Sequence, residues 1–287
     1  MTDKTRGNLY MLMAAVLWST GGILIKFIPG NAIAINGARS GIAFLFFCAY
    51  KRSFCFKCNR YIAAAAFCLV MTNFLYVMAN KLTTAANAIV LQYMAPIFVL
   101  LWDCVYRKRL PGKMQCVVVL MAFAGMLLFF FDQLDGGRLL GNLLAIGAGV
   151  CFSGVFFINS LPQSSSGDAS MLAFLTSFLI SIPLLGDVLS MDARGIAALL
   201  ALGIFQVGLA YLVFSKGSKL TSPVSASLIG LLEAILNPVW VLIFYGERVG
   251  KYALVGGGII LLSVALNICA GQREQPLPPG SQKENPI

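Results

Sequence analysis

Glu233 is the residue in this sequence best placed to do chemistry. It sits in the run Leu231-Leu232-Glu233-Ala234-Ile235, and Asn237 and Trp240 follow it on the same helical face. A carboxylate in so apolar a run costs on the order of several kcal/mol unless it is paired, protonated or hydrated. There it can bind a cationic group, take a coupling proton, or serve as a structural partner for another helix. Arg39, with Asn36 one turn earlier, is one candidate mate. Arg39 can also grip a carboxylate or phosphate in bidentate fashion, or fix the packing of its own helix.

Weaker polar stripes accompany these two charges. Asn73, Tyr76 and Asn80 share one helical face, as do Gln92 and Pro96, Ser153, Phe157 and Ser160, and Trp18 and Gly22. Such faces suit the wall of a cavity for a small amphipathic solute, and they equally suit helix–helix packing. The expected substrate-binding set is Trp18, Asn73, Tyr76, Gln92, Glu233, Asn237 and Trp240, with Arg39 as an anion ligand. Pro96 and Pro238 are expected to kink their helices. Each lacks an N–H and crowds the carbonyl four residues back, freeing those of Gln92 and Ala234. Pro183 reads as structural, Lys26 as snorkelling from a helix end, and Asp103 as paired with Arg107 one turn on.

The sequence contains no His, which removes most general-base catalysis and most zinc and haem ligation. No two acids fall at catalytic spacing within an apolar run, so no catalytic residue and no enzyme activity is expected. Six of the eight Cys lie in or beside apolar stretches, as small hydrophobes do. Cys55 and Cys58 form a lone C-x-x-C in a basic loop, too few ligands for a structural zinc site. Neither a metal nor a cofactor is expected.

The elements that must position these residues follow from composition. Of 287 residues, 59% are hydrophobic and 11% charged, where a soluble domain carries about 25% charged. Cutting at charges, Pro and Gly leaves about ten segments of membrane-spanning length, near 9–28, 32–50, 62–80, 84–106, 114–131, 139–159, 170–189, 195–215, 222–245 and 252–270. The expected fold is all-α, a polytopic membrane protein with no soluble domain. The first segment reads as a full span rather than a cleaved leader, since no small-residue cleavage site follows it. Residues 272–287, with Pro-Leu-Pro-Pro-Gly, read as a disordered cytoplasmic tail.

The net charge of +10 is read by its distribution rather than as a sign of a nucleic-acid partner, and none is expected. Lys4, Arg6, Lys51, Arg52, Lys57, Arg60 and the Arg107–Arg109 cluster fall on one side, which places both termini in the cytoplasm of a plasma (inner) membrane protein. Lys26, Lys81, Arg138, Arg194, Arg248 and Lys251 fall on the other.

The chain also repeats itself. Gly7-Asn8-Leu9 matches Gly141-Asn142-Leu143, and Lys81-Leu82-Thr83 matches Lys219-Leu220-Thr221. Pro96 matches Pro238, and Gly112-Lys113 matches Gly250-Lys251. The offsets are about 134 to 142 residues, half the chain, so residues 1–135 and 136–271 read as two five-helix units. An odd number of crossings per unit makes them inverted repeats, the arrangement that permits alternating access.

Here the residues resemble the EamA type of the drug/metabolite transporter superfamily. The carriers of the resemblance are Trp18-Ser19-Thr20-Gly21-Gly22, Arg39, Gln92-Tyr93-Met94-Ala95-Pro96, and Leu231-Leu232-Glu233 with Asn237-Pro238-Val239-Trp240 and Gly246-Glu247. Two departures stand out. Ala234 occupies a position where the family commonly has Pro, and Lys108-Arg109 replaces a first-half Gly-Glu. The resemblance implies a carrier of amino acids, related amphipathic solutes or drugs, with a central cavity between the two halves. The expected function is therefore secondary transport by alternating access, read as export, with Glu233 as the proton or cation ligand. The partners expected are a small-molecule solute and the lipid bilayer. A membrane scaffold without transport is the competing reading; it predicts a dry, packed centre.

Overall fold

A computed structural model describes residues 2–25, 27–28, 31–134, 138–189, 191–245 and 250–273. Lys26, Gly246, Glu247, Arg248 and residues 274–287 lie outside the described residues, as do the side chains of Gly22 and Pro238. Every regular element described is helical. The segments are α1 (Asp3–Ser19, continued by Gly21–Ile25), α2 (Ala32–Lys51), α3 (Arg60–Leu82), α4 (Ala85–Arg107), α5 (Lys113–Phe129), α6 (Leu139–Ser160), α7 (Ser166–Leu184), α8 (Ala193–Gly217), α9 (Pro223–Phe244) and α10 (Lys251–Arg273). Among the described residues, 8 of these are long and apolar enough to cross a membrane, and α5 is a shorter apolar helix. Large apolar side chains such as Leu45, Phe67, Val105 and Leu120 face outward, while Ser40, Thr72, Ser153 and Gln206 are buried. That is the distribution a lipid solvent demands.

Local chemistry sets the helix ends. Asn59, Thr84 and Ser222 each accept a backbone N–H from the first turn of α3, α4 and α9. Two helices begin before their apolar runs do. Thr2 caps α1 and Ser165 caps α7, adding a polar first turn that hydropathy alone does not mark. Pro183 falls where α7 tightens into a 3₁₀ turn, Ile182–Leu184, in keeping with its structural reading. Asp103 is paired with Arg107 at 2.7 Å, and Arg109 approaches the same carboxylate at 3.9 Å.

Both α4 and α9 are interrupted near their middles. In α4 the helix stops at Gln92 and resumes at Ala95, just ahead of Pro96. In α9 it stops at Gly230 and resumes at Leu232, several residues before Pro238. The carbonyls of Leu91 and Gln92 face Gly149 of α6, where an added Cβ would lie 2.9 Å from each oxygen. A side chain there would push the two helices apart at the break.

Each half lends its first helix to the other. α1 packs on α8 and α9, while α6 packs on α3 and α4. The contacts correspond in detail. Thr221 Oγ1 bonds Asn8 Oδ1 at 2.6 Å, and Thr83 Oγ1 bonds Asn142 Oδ1 at 2.8 Å. A Cβ on Gly7 would lie 2.7 Å from the Leu220 backbone, and one on Gly141 would lie 2.7 Å from the Leu82 backbone. Further pairs close the assembly: α2 against α7 and α8, α3 against α7, and α5 against α10.

These contacts give a stability prediction. Gly7→Ala and Gly141→Ala should each destabilise the detergent-solubilised protein by about 1–3 kcal/mol, since backbone cannot yield to an inserted methyl. Gly258→Ala, where a Cβ would meet nothing within 4 Å, should leave the melting temperature unchanged or slightly raised. Thermal unfolding followed by circular dichroism separates the two cases.

Candidate functional site

A cavity of about 910 Å³ lies between the group α3, α4, α6 and the group α1, α8, α9. Its walls include Ile28, Lys81, Gln133 and Gly250, residues at the helix ends remote from the N-terminus, so it reaches that face. Toward the opposite face it stops on aromatic rings. Tyr93 meets Phe152 and Phe152 meets Phe156. Phe156 meets Phe214 with centroids 5.6 Å apart, and Phe214 meets Trp18 at the same separation. Tyr211 joins Trp18, Phe214 and Phe174. Tilted and edge-to-face pairs of this kind each contribute about 0.5–1.5 kcal/mol beyond their buried area.

Polar ties lie below the rings. Lys51 of α2 pairs with Asp168 of α7. Asn59 Nδ2 donates to the Gln163 carbonyl at 2.9 Å. Lys219 Nζ, between α8 and α9, donates to the carbonyls of Leu161 and Ser164, the latter at 2.8 Å. Burial holds the Lys219 ammonium below the usual lysine pKa, and the two carbonyls offset part of that cost.

The charged residues sit together in the cavity. Arg39, Asn36 and Ser40 share one face of α2. Asn36 Oδ1 accepts from Arg39 Nε at 3.2 Å and from Nη2 at 2.8 Å. Gln206 Oε1 accepts from Nη1 at 3.3 Å, while Gln206 Nε2 donates to the Trp18 carbonyl, also at 3.3 Å. One side chain of α8 thus fixes the guanidinium to α1 and α2 together. Gln206 lies in a π-helical stretch, Leu202–Leu209, which aims it differently from an α-helical residue at the same position.

Glu233 occupies the first turn of the second piece of α9, where the helix dipole favours a carboxylate. Tyr93 lies within hydrogen-bonding reach of it, and Arg39, Tyr76 and Tyr211 are near enough to feel its charge.

Of the residues singled out from sequence, Trp18, Arg39, Asn73, Tyr76, Gln92, Glu233 and Asn237 line this one cavity. Trp240 and Pro96 are not among its walls. Trp240 Nε1 instead donates to Ser19 Oγ at 2.8 Å, tying α9 to α1. In the Ser153 stripe, Ser153 Oγ accepts from Trp102 Nε1 at 3.0 Å, an α6–α4 packing contact. Asn73 and Asn80 each donate the side-chain amide to the carbonyl four residues back. Sequence reasoning passed over Gln206, Tyr93, Tyr211, Phe152 and Phe174. The only signal for Gln206 was a polar side chain in the apolar run Leu202-Gly203-Ile204-Phe205-Gln206; the aromatics carried none against a background rich in Phe.

The model of the EamA-like transporter family matches residues 5–131 and again residues 139–269. The chain belongs to the EamA-like transporter family. It is similar to the uncharacterized transporter YwfM of Bacillus subtilis, with 26% identity over 94% of this chain and 97% of the relative. An uncharacterized transporter of Archaeoglobus fulgidus is 22% identical over 91% of this chain and 95% of its own. The uncharacterized inner membrane transporter YicL of Salmonella typhimurium is 24% identical over 93% and 96%. A protein crystal structure shares the fold, with TM-score 0.78 and 17% identity over 94% of this chain and 99% of that one. The chain is thus a multi-pass membrane protein of a transporter family.

The bonding pattern separates two substitutions. Gln206→Leu strands the Arg39 Nη1 donor and should cost about 1–3 kcal/mol. Trp240→Phe removes one interhelical hydrogen bond and should cost about 0.6 kcal/mol. Thermal denaturation of the two variants in one detergent should rank them in that order.

Proposed function

We propose that this protein is a secondary transporter of small amphipathic metabolites, amino acids and related solutes or drugs among them, working by alternating access and serving as an exporter in the plasma membrane. The observation that carries this reading is the cavity itself. Side chains from both halves line it, it reaches one face, and it ends on aromatic rings and polar ties toward the other. The helix groups on its two sides meet below it through the Phe156–Phe214 contact and the Lys219 bonds. Parting those contacts while closing the open end carries a solute across.

In this reading residues 1–135 and 136–271 are the two inverted repeats. The Lys and Arg bias puts both termini in the cytoplasm, so the cavity faces outward. Glu233 is the proton or cation site, and Arg39 sets its electrostatic surroundings or meets an anionic group. Trp18, Asn73, Tyr76, Gln92 and Asn237 contact the solute. An open volume of this size weighs against a scaffold, which has no use for a hollow at its centre.

The test is solute flux in proteoliposomes across a metabolite panel and a pH series, with Glu233→Gln beside the wild type. Wild-type protein should move at least one solute with a pH-dependent rate. Glu233→Gln should lower that rate at least tenfold or flatten its pH dependence. Flux with unchanged pH dependence in the variant assigns Glu233 to packing, and the absence of flux across the whole panel overturns the transporter reading.

A further inference from the structure

Three buried side-chain polar atoms among the described residues lack a hydrogen-bond partner: Trp18 Nε1, Gln92 Oε1 and Ser166 Oγ. Two of the three belong to cavity walls, and they come from opposite sides. Trp18, only 5% exposed, is on α1, and Gln92 is on α4 at the break before Ala95. One is an obligate donor and the other an acceptor.

The charged groups of the cavity are in a different condition. Three N–H groups of Arg39 are taken by Asn36 and Gln206, and Glu233 has Tyr93 and the Arg39 charge beside it. The atoms of these walls left both buried and without a partner, among the described residues, are thus a neutral donor and a neutral acceptor. Around them stand the rings of Tyr93, Phe152, Phe174 and Tyr211.

We propose that Trp18 and Gln92 are the specificity-determining pair of the cavity, and that the ligand they read is an uncharged planar amide or amino-heterocycle. Its ring lies against the aromatic wall. An acceptor on its edge takes the Trp18 N–H, and an N–H on the same edge donates to Gln92 Oε1. A buried polar atom left unpaired penalises any ligand that fails to supply its partner, so the pair rejects analogues that lack either group. Because α1 and α4 belong to the two helix groups that flank the cavity, a ligand bonded to both draws those groups together. This inference rests on the transporter reading and narrows its substrate class.

The experiment uses the full chain in lipid nanodiscs and two probe pairs, 9-methyladenine with 9-methylpurine and nicotinamide with 3-acetylpyridine. Within each pair the second compound lacks every N–H donor but keeps a ring and an acceptor. Binding is read by equilibrium dialysis. In the wild type, 9-methyladenine and nicotinamide should bind at least tenfold more tightly than their partners. In Gln92→Leu that preference should fall to near unity. Trp18→Phe, which keeps a ring and loses the N–H, should weaken 9-methyladenine and nicotinamide at least tenfold. The wild-type comparison stands even where a variant fails to fold.

Equal binding within each pair in the wild type overturns the proposal. So does unchanged preference in Gln92→Leu, or unchanged affinity in Trp18→Phe. If none of the four probes binds while L-phenylalanine does, the ligand class is wrong and the transporter reading survives. Absence of flux in proteoliposomes for every solute, these probes included, removes both.

Discussion

The first helix of each half packs mainly on the other half. α1 finds its partners in α8 and α9, and α6 finds its partners in α3 and α4. In a bilayer no hydrophobic effect drives such contacts, so they depend on close approach and on polar atoms that would otherwise lie bare in hydrocarbon. Gly7 against Leu220 and Gly141 against Leu82 supply the approach. Asn8 with Thr221, and Asn142 with Thr83, supply the polar tie. The two helix groups, the space between them and every residue facing that space inherit their positions from these two junctions.

Within that frame the charges are held rather than merely placed. Asn36 and Gln206 grip Arg39 from two helices, and Gln206 reaches on to the Trp18 carbonyl. Glu233 gains from the same break that splits α9, since the interruption at Leu231 turns mid-membrane backbone into a helix start beneath the carboxylate. The opposite charge nearby and the neutral dipoles around them offset part of the cost of burying each. Rigidity and solvation come here from the same hydrogen bonds.

The sequence disclosed much of this, unevenly. Ten helical segments were legible from their apolar runs, because lipid imposes a length on a span; among the described residues 8 reach that length, while α1 and α5 fall short of it. The matched Gly-Asn-Leu and Lys-Leu-Thr motifs were legible because two junctions of one geometry select one chemistry. Glu233 and Arg39 stood out because charge is conspicuous among Leu and Val. Trp240 was misleading: it shares a helical periodicity with Glu233, but its N–H is spent on Ser19, and no pattern within one helix reveals the neighbour that claims an atom. Gln206 was missed for a related reason, since a π-helical turn shifts which face a residue presents. The aromatic floor could not be read at all, because Phe152, Phe156 and Phe214 differ from lipid-facing Phe only in what they touch.

The reciprocal loan of α1 and α6 has a consequence for how the chain can be divided. It has the connectivity of a domain-swapped dimer whose copies have been joined end to end. A fragment ending near residue 134 would carry α1 without the groove that receives it, and its own α3–α4 groove would stand empty. Two such fragments made separately would each be incomplete, yet each would hold what the other lacks. The link between α5 and α6 therefore raises the effective concentration of two mutually dependent pieces, and the integrity of the cavity is a property of the pair.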